Sequence, residues 1–164
     1  METEPTEDTI PAQLPDLGDY SFEALTVNAL YTGSERGLQA DVLSTRALGG
    51  AATTVCTAMV MASHGRVTDV VDVPTDTVNA QFEHTFAVSD PVGARIGIVP
   101  HPHTIAAVFD QLEDRDLPVL LDATAHGPTG ETLLTSRGIE RLLEHLDRID
   151  LLTVRRKDAE LLVQ

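Results

Sequence analysis

Four places in this 164-residue chain carry side chains able to do chemistry. The first is Gly37-Leu38-Gln39-Ala40-Asp41, which joins a turn glycine, an amide and a carboxylate where a helical pattern begins. A glutamine presents donor and acceptor from one group, the pairing that the edge of a heterocycle requires. The residues before it, Tyr31 to Arg36, include a Tyr, a Ser, a Glu and an Arg where a tight glycine-rich loop is expected. The second is Asp122, at the end of an apolar run. Open α/β folds place functional carboxylates at such strand ends, although the same residue can simply cap the loop that follows. The third is His101-Pro102-His103, two imidazoles that are transition-metal ligands by type. No Cys or carboxylate stands close to them in sequence, so a plain loop or helix start is the reading adopted. The fourth is Arg155-Arg156-Lys157, a basic cluster able to take a small anion or to pair with the acidic surface of a neighbouring subunit.

The elements that must position these groups follow from patterning. Ala24–Leu30 is a strand by its apolar, β-rich content. Leu38, Val42, Leu43, Ala47 and Leu48 recur at helical spacing, and Gly49-Gly50 stops the helix. Ala52–Ser63 is β-branched and apolar on both faces, as in a central strand. Val67–Val73 alternates and is a further short strand or edge. Pro74, Thr75 and Asp76 open a helix through about Phe86, with Thr75 and Asp76 as capping candidates. Ala94–Val99 is a strand; Ile105, Val108, Phe109 and Leu112 mark the next helix. Pro118–Ala123 is a strand, 136–148 a helix, Ile149–Val154 a strand and Lys157–Val163 a last helix. Strands and helices alternating in this way predict βαβ units, a mostly parallel sheet between helical layers, and ligands at the carboxyl ends of the strands.

Composition limits the function classes. A hydrophobic content of 42% and a mean hydropathy near zero describe a soluble globular chain, long enough for one domain with a real core. Aromatic residues are only 4%, so that core is aliphatic. Net charge is −15, and Lys157 is the sole lysine among 11 basic residues. Such a surface repels itself in dilute salt and is screened in concentrated salt, as in proteins of salt-loving cytoplasms; arginine-favouring codon bias is the other source of the lysine shortage. Nucleic acid is excluded as a partner for want of a basic patch that could neutralise phosphates. The single Cys56 rules out an intrachain disulfide and reads as a small buried hydrophobe. Residues 1–20 are acidic and read as a loose tail ahead of a single domain from 21 to 164; they lack the basic start and apolar core of a secretory signal. With no run of membrane-spanning length, the expectations are a cytoplasmic location and no membrane insertion.

The order of these pieces resembles the hydroxymethylpyrimidine/phosphomethylpyrimidine kinases, members of the ribokinase superfamily. The carrying residues are Ala24-Leu25-Thr26, then GLQAD (37–41) with ALGG (47–50), then Thr53–Phe86. RIGIV (95–99), VLLDATAHGPTGETLL (119–134) and IDLLTVRRKDAELL (149–162) complete the match in the same order. The resemblance implies a three-layer αβα, truncated ribokinase-like fold. It matches Gln39 to the glutamine that hydrogen-bonds the pyrimidine ring.

It also implies losses. Where those kinases carry Gly-Ser-Asp this chain has Ala29, Leu30 and Tyr31, so a phenol replaces a substrate-contacting carboxylate. Ser34 and Glu35 replace permissive glycines, and Pro128-Thr129-Gly130 replaces a Lys-Ser-Gly near the phosphates. The metal- and phosphate-holding Thr-Pro-Asn-x-x-Glu becomes Thr153-Val154-Arg155 and, three residues on, Asp158. The chain stops before the part that would hold the anion hole and most of the nucleotide pocket. Phosphoryl transfer depends on that apparatus. The expectation is a non-catalytic binding, regulatory or interaction module of a salt-loving cytoplasm, with a link to bacteriorhodopsin production. It would have no catalytic residue, no cofactor and no metal. Tyr31, Gln39, Asp122 and Arg155 form its vestigial ligand site, the ligand would be a small heterocycle, and a homo-oligomer would cover the surface that truncation leaves. A hydroxymethylpyrimidine kinase or a ligand sensor, with a site completed across subunits, is the competing expectation.

Overall fold

The computed structural model describes residues 20–162. The expected acidic tail lies outside them except for Tyr20. The domain is one six-stranded sheet in the order β3-β2-β1-β4-β5-β6. Its strands are β1 (Glu23–Thr32), β2 (Ala51–Ser63), β3 (Arg66–Asp72), β4 (Ala94–Ile96), β5 (Val119–Asp122) and β6 (Leu151–Thr153). All neighbours are parallel except β2 and β3, which form an antiparallel hairpin and make β3 an edge.

Chain direction explains the layers. From β1 the path goes out through α1 (Leu38–Ala47) to β2, then turns back through α2 (Thr75–Val88) to β4 on the other side. It continues outward through α3 (Pro102–Leu112) and α4 (Ser136–Leu143) to β5 and β6, and ends in α5 (Arg156–Leu162). Right-handed crossovers running in opposite directions put α1 on one face and α2 to α4 on the other. This is the three-layer αβα arrangement, with a mostly parallel sheet.

Register decides what each face carries. Leu25, Ala94 and Val119 lie in one row, and Val27, Ile96 and Leu121 in another. These rows pack against Val78, Phe82, Ile105, Val108 and Phe109 of α2 and α3 in the main core. Thr26 and Arg95, between them, turn to the α1 face, where both bond Asp41. A register shift between Asn28 and Leu30 against β2 separates off a second apolar cluster at the carboxyl end of the sheet.

Several elements differ from their sequence pattern. β1 runs on through Tyr31 and Thr32, which the pattern left in the loop. β2 lies inside the sheet, but Met59 and Met61 on its far half are exposed. Thr75 and Asp76 do not cap α2: Pro74 takes the cap position and no side chain bonds there. The segment 136–148 breaks into α4 and a 3-10 turn at Leu146–Arg148. Cys56 is half-buried, with its backbone N–H and C=O bonded to the Gln81 amide. Among the described residues no helix is long and apolar enough to cross a membrane.

Candidate functional site

The loops at the carboxyl ends of the strands enclose two clefts that share Pro128. One, of about 350 Å³, lies between Tyr31, the Gly33–Arg36 loop and the β2–β3 turn at His64. The other, of about 430 Å³, lies between the His126–Gly130 loop and the start of α5. Arg36, Arg66, Arg155 and Lys157 line them together with His64 and His126. Four of the chain's 11 cations thus gather at one end of a molecule whose net charge is −15. Arg155 is paired with Asp158 and Arg66 with Glu131, which leaves Arg36 and Lys157 without an ion pair among the described residues.

Tyr31 anchors the first cleft. Its ring is buried among Ala29, Ala58, Val60, Val67, Ile98 and Leu133. Burial pushes the phenol's pKa up; the Arg36 and Arg155 charges oppose this and Glu131 adds to it, and the net direction is upward. The ring fills the space at the end of β1. Gln39 reaches back from α1 and takes both backbone groups of Tyr31: its Nε2 donates to the Tyr31 carbonyl at 2.5 Å, and its Oε1 accepts from the Tyr31 N–H at 3.2 Å. The amide thereby acts as a short strand partner for the last turn of β1. Gly37 makes this approach possible. Its φ is +59°, and a Cβ there would collide with the Ala29 carbonyl oxygen.

Arg155 organises the second cleft. Asp158 is 1% exposed, and Arg155 donates to its Oδ2 through Nε at 2.9 Å and Nη2 at 2.7 Å. His126 Nδ1 lies 2.8 Å from its Oδ1, and Arg155 also bonds the His126 carbonyl. Burial raises the Asp158 pKa, but the hydrogen bonds from His126 and Arg155 and the Arg155 charge outweigh it, so the carboxyl titrates below the usual range. Both oxygens of this carboxylate are committed to protein donors. The buried Asp158 carboxylate is thus held by Arg155 from its own segment and by His126 from the loop before α4. Glu131 nearby is held low by hydrogen bonds from Thr129 and pairs with Arg66 at 3.7 Å.

Asp122 does not join these clefts. It lies on the α1 face, where Arg95 bridges it (2.8 Å) to Asp41 (2.9 Å). The Asp41 Oδ2 also accepts from Thr26 (2.5 Å) and Asn28 (2.8 Å). Asn28 in turn uses its Oδ1 for the N–H groups of Ala29 and Ile98, tying β1 to the end of β4. Of the four residues singled out in the sequence, Tyr31 and Arg155 line the clefts, Gln39 bonds the Tyr31 backbone, and Asp122 is held by Arg95 on the α1 face. His101 pairs with Asp72 at 2.9 Å, and no group of three or more potential metal ligands exists among the described residues. Sequence reasoning missed Arg95 and His126. A cation inside an apolar strand was the available signal for Arg95; nothing local pointed to His126.

Comparison with known proteins agrees with the fold. Residues 32–164 match the family model described as phosphomethylpyrimidine kinase. The hydroxymethylpyrimidine/phosphomethylpyrimidine kinase of Rhizobium meliloti is 32% identical over 123 residues, 75% of this chain and 46% of that protein. The Escherichia coli enzyme of the same name is 27% identical over 87% of this chain and 54% of its own length. Among solved structures, the phosphomethylpyrimidine kinase of Clostridium difficile superposes with a TM-score of 0.68 at 24% identity, over 74% of this chain and 53% of that one. Bacillus subtilis pyridoxal kinase in its ADP complex superposes at 0.75 and 20% identity, over 86% of this chain and 54% of that one. This chain spans about half the length of these relatives. Its fold is ribokinase-like, and the chain belongs to the phosphomethylpyrimidine kinase family.

Proposed function

We propose that this chain is a non-catalytic member of its family, a binding or regulatory module that holds a small anionic heterocycle at the carboxyl end of its sheet in a salt-rich cytoplasm. The observation that carries the proposal is the Arg155–Asp158–His126 arrangement. In a phosphoryl-transfer site the acidic residue of that segment would be free to help to hold a metal; here a guanidinium from the same segment neutralises it. The Tyr31 ring supports the same reading, since it fills space where the relatives' motif carries a carboxylate. The cationic lining of the clefts favours a phosphorylated or otherwise anionic form of the ligand. A link to bacteriorhodopsin production belongs to the same proposal and rests on the resemblance alone.

Calorimetry with hydroxymethylpyrimidine, its phosphate and Mg-ATP, run beside a turnover assay, tests this. The expected result is binding of the phosphorylated pyrimidine without turnover. ATP binding with phosphoryl transfer establishes instead the competing reading, a kinase whose site is completed across subunits. Absence of all binding leaves an interaction role with no ligand.

A further inference from the structure

The outer side of α1 is apolar, and a groove opens along it. The groove, of about 490 Å³, lies between α1, β1 and β2, with Leu30, Leu38, Val42, Leu43 and Thr54 in its walls. Leu43 is 55% exposed, and Leu48, at the carboxyl-terminal end of the helix, is 75% exposed. The chain enters the fold at that same end. The Arg46 guanidinium lies 4.4 Å from the Tyr20 ring centroid, and Ser21 donates to the Gly49 carbonyl through its N–H and its hydroxyl, each at 3.0 Å. The residues just before Tyr20 therefore lead away from beside Leu48. They include Ile10, Leu14 and Leu17, with prolines at 11 and 15.

We propose that residues 10–19 run back along α1 and lay Leu17 over Leu48, Leu14 over Leu43, and Ile10 into the groove. Length permits it. Prolines favour a polyproline-type path of about 3.1 Å per residue, so the stretch from Tyr20 to Ile10 reaches about 30 Å. The 10 residues of α1 span only about 15 Å. Spacing agrees as well, since three residues of such a path cover about 9 Å and the five from Leu43 to Leu48 about 7.5 Å of helix axis. Charge agrees at the point of entry, where Asp19 and Asp16 come in beside Arg46. A second copy is the less favoured occupant, because two chains of net charge −15 repel each other. A segment joined to the fold at Tyr20 acts instead at an effective concentration of about millimolar, at which a few leucine contacts suffice. Gln39 also lines the groove and holds the Tyr31 backbone, so the docked segment backs one wall of the first cleft. The docking is independent of whether the clefts hold a ligand.

The chain contains no Trp, so one introduced indole reports its own surroundings. Leu14→Trp and Leu17→Trp, made separately in the full chain, are compared with Thr6→Trp, which lies outside the docked stretch. The first two are expected to emit at shorter wavelength than the third and to resist acrylamide quenching, unchanged on dilution. Leu43→Asp, at a position already half in water, is expected to leave circular dichroism unchanged and to weaken docking roughly tenfold, the scale of one lost leucine contact. Thr54→Glu, an exposed position on the strand wall, should act in the same direction. The proposal is overturned if both reporters are as exposed as Thr6→Trp, or if their shielding survives both groove substitutions. Shielding that disappears on dilution also overturns it and assigns the groove to a second copy.

Discussion

Gln39 grips Tyr31 by its backbone while the Tyr31 ring turns away into the apolar cluster at the end of the sheet. Each residue of the pair serves the other. The amide supplies the hydrogen bonds that the last residues of β1 would otherwise lack. The buried ring, in turn, holds the strand end where the amide can reach it.

Tyr31→Ala is expected to cost ~3–5 kcal/mol, the usual range for emptying a buried aromatic site. Tyr31→Phe should stay within about 1 kcal/mol, since no hydrogen bond from the phenol holds it among the described residues. Tyr31→Asp should destabilise, because it buries a carboxylate among aliphatic side chains. Urea titrations of the variants check the order.

Gly37→Ala tests the turn that lets Gln39 approach. Positive φ and the collision with the Ala29 carbonyl act together, so a loss of about 1–3 kcal/mol or more is expected. Gly65→Ala has positive φ but nothing within 4 Å, and should cost less. The comparison separates backbone strain from close approach.

Asp41 is buried and accepts from Thr26, Asn28 and Arg95 through one oxygen. Asp41→Ala orphans all three donors and is expected to cost ~3–5 kcal/mol, as for breaking a buried ion pair. Arg95 is 32% exposed, so solvent takes over part of its charge and Arg95→Met should cost less. A double-mutant cycle should return a coupling energy well above zero.

Acid should expose the Asp158 arrangement. The carboxyl pKa is lowered in the folded chain, so it contributes stability above the ordinary carboxylate value of about 3.9, and that stability is lost as pH falls through the lowered value. Stability of the wild type should therefore fall more steeply below about pH 4 than that of Asp158→Asn. Denaturant melts across the acid range measure the difference in slope.

Salt should act in the direction set by net charge. Self-repulsion at −15 is screened within about 3 Å at molar ionic strength and hardly at all at millimolar. The melting temperature is expected to rise from millimolar to molar KCl. A flat response would show that the acidic surface carries no stability cost.

The sequence by itself determined the alternation of strands and helices, the mostly parallel sheet and the family. Each depends on short-range periodicity or on the order of motifs, and both can be read along one chain. Through the resemblance it also implied replaced residue types, Tyr31 for a carboxylate and Arg155 for an amide. Tertiary structure decided what Tyr31 and Arg155 touch. Arg155 lies three residues from Asp158, but its effect depends on His126, brought in from a loop 32 residues away. Asp122 reads as a site residue because it ends a strand, yet strand parity turns it to the α1 face and into the Arg95–Asp41 network. Gln39 reads as a free amide until the extension of β1 brings the Tyr31 backbone within hydrogen-bond reach. In each case the deciding contact joins residues that only the packed sheet makes neighbours, and their separation along the chain carries no periodic signal.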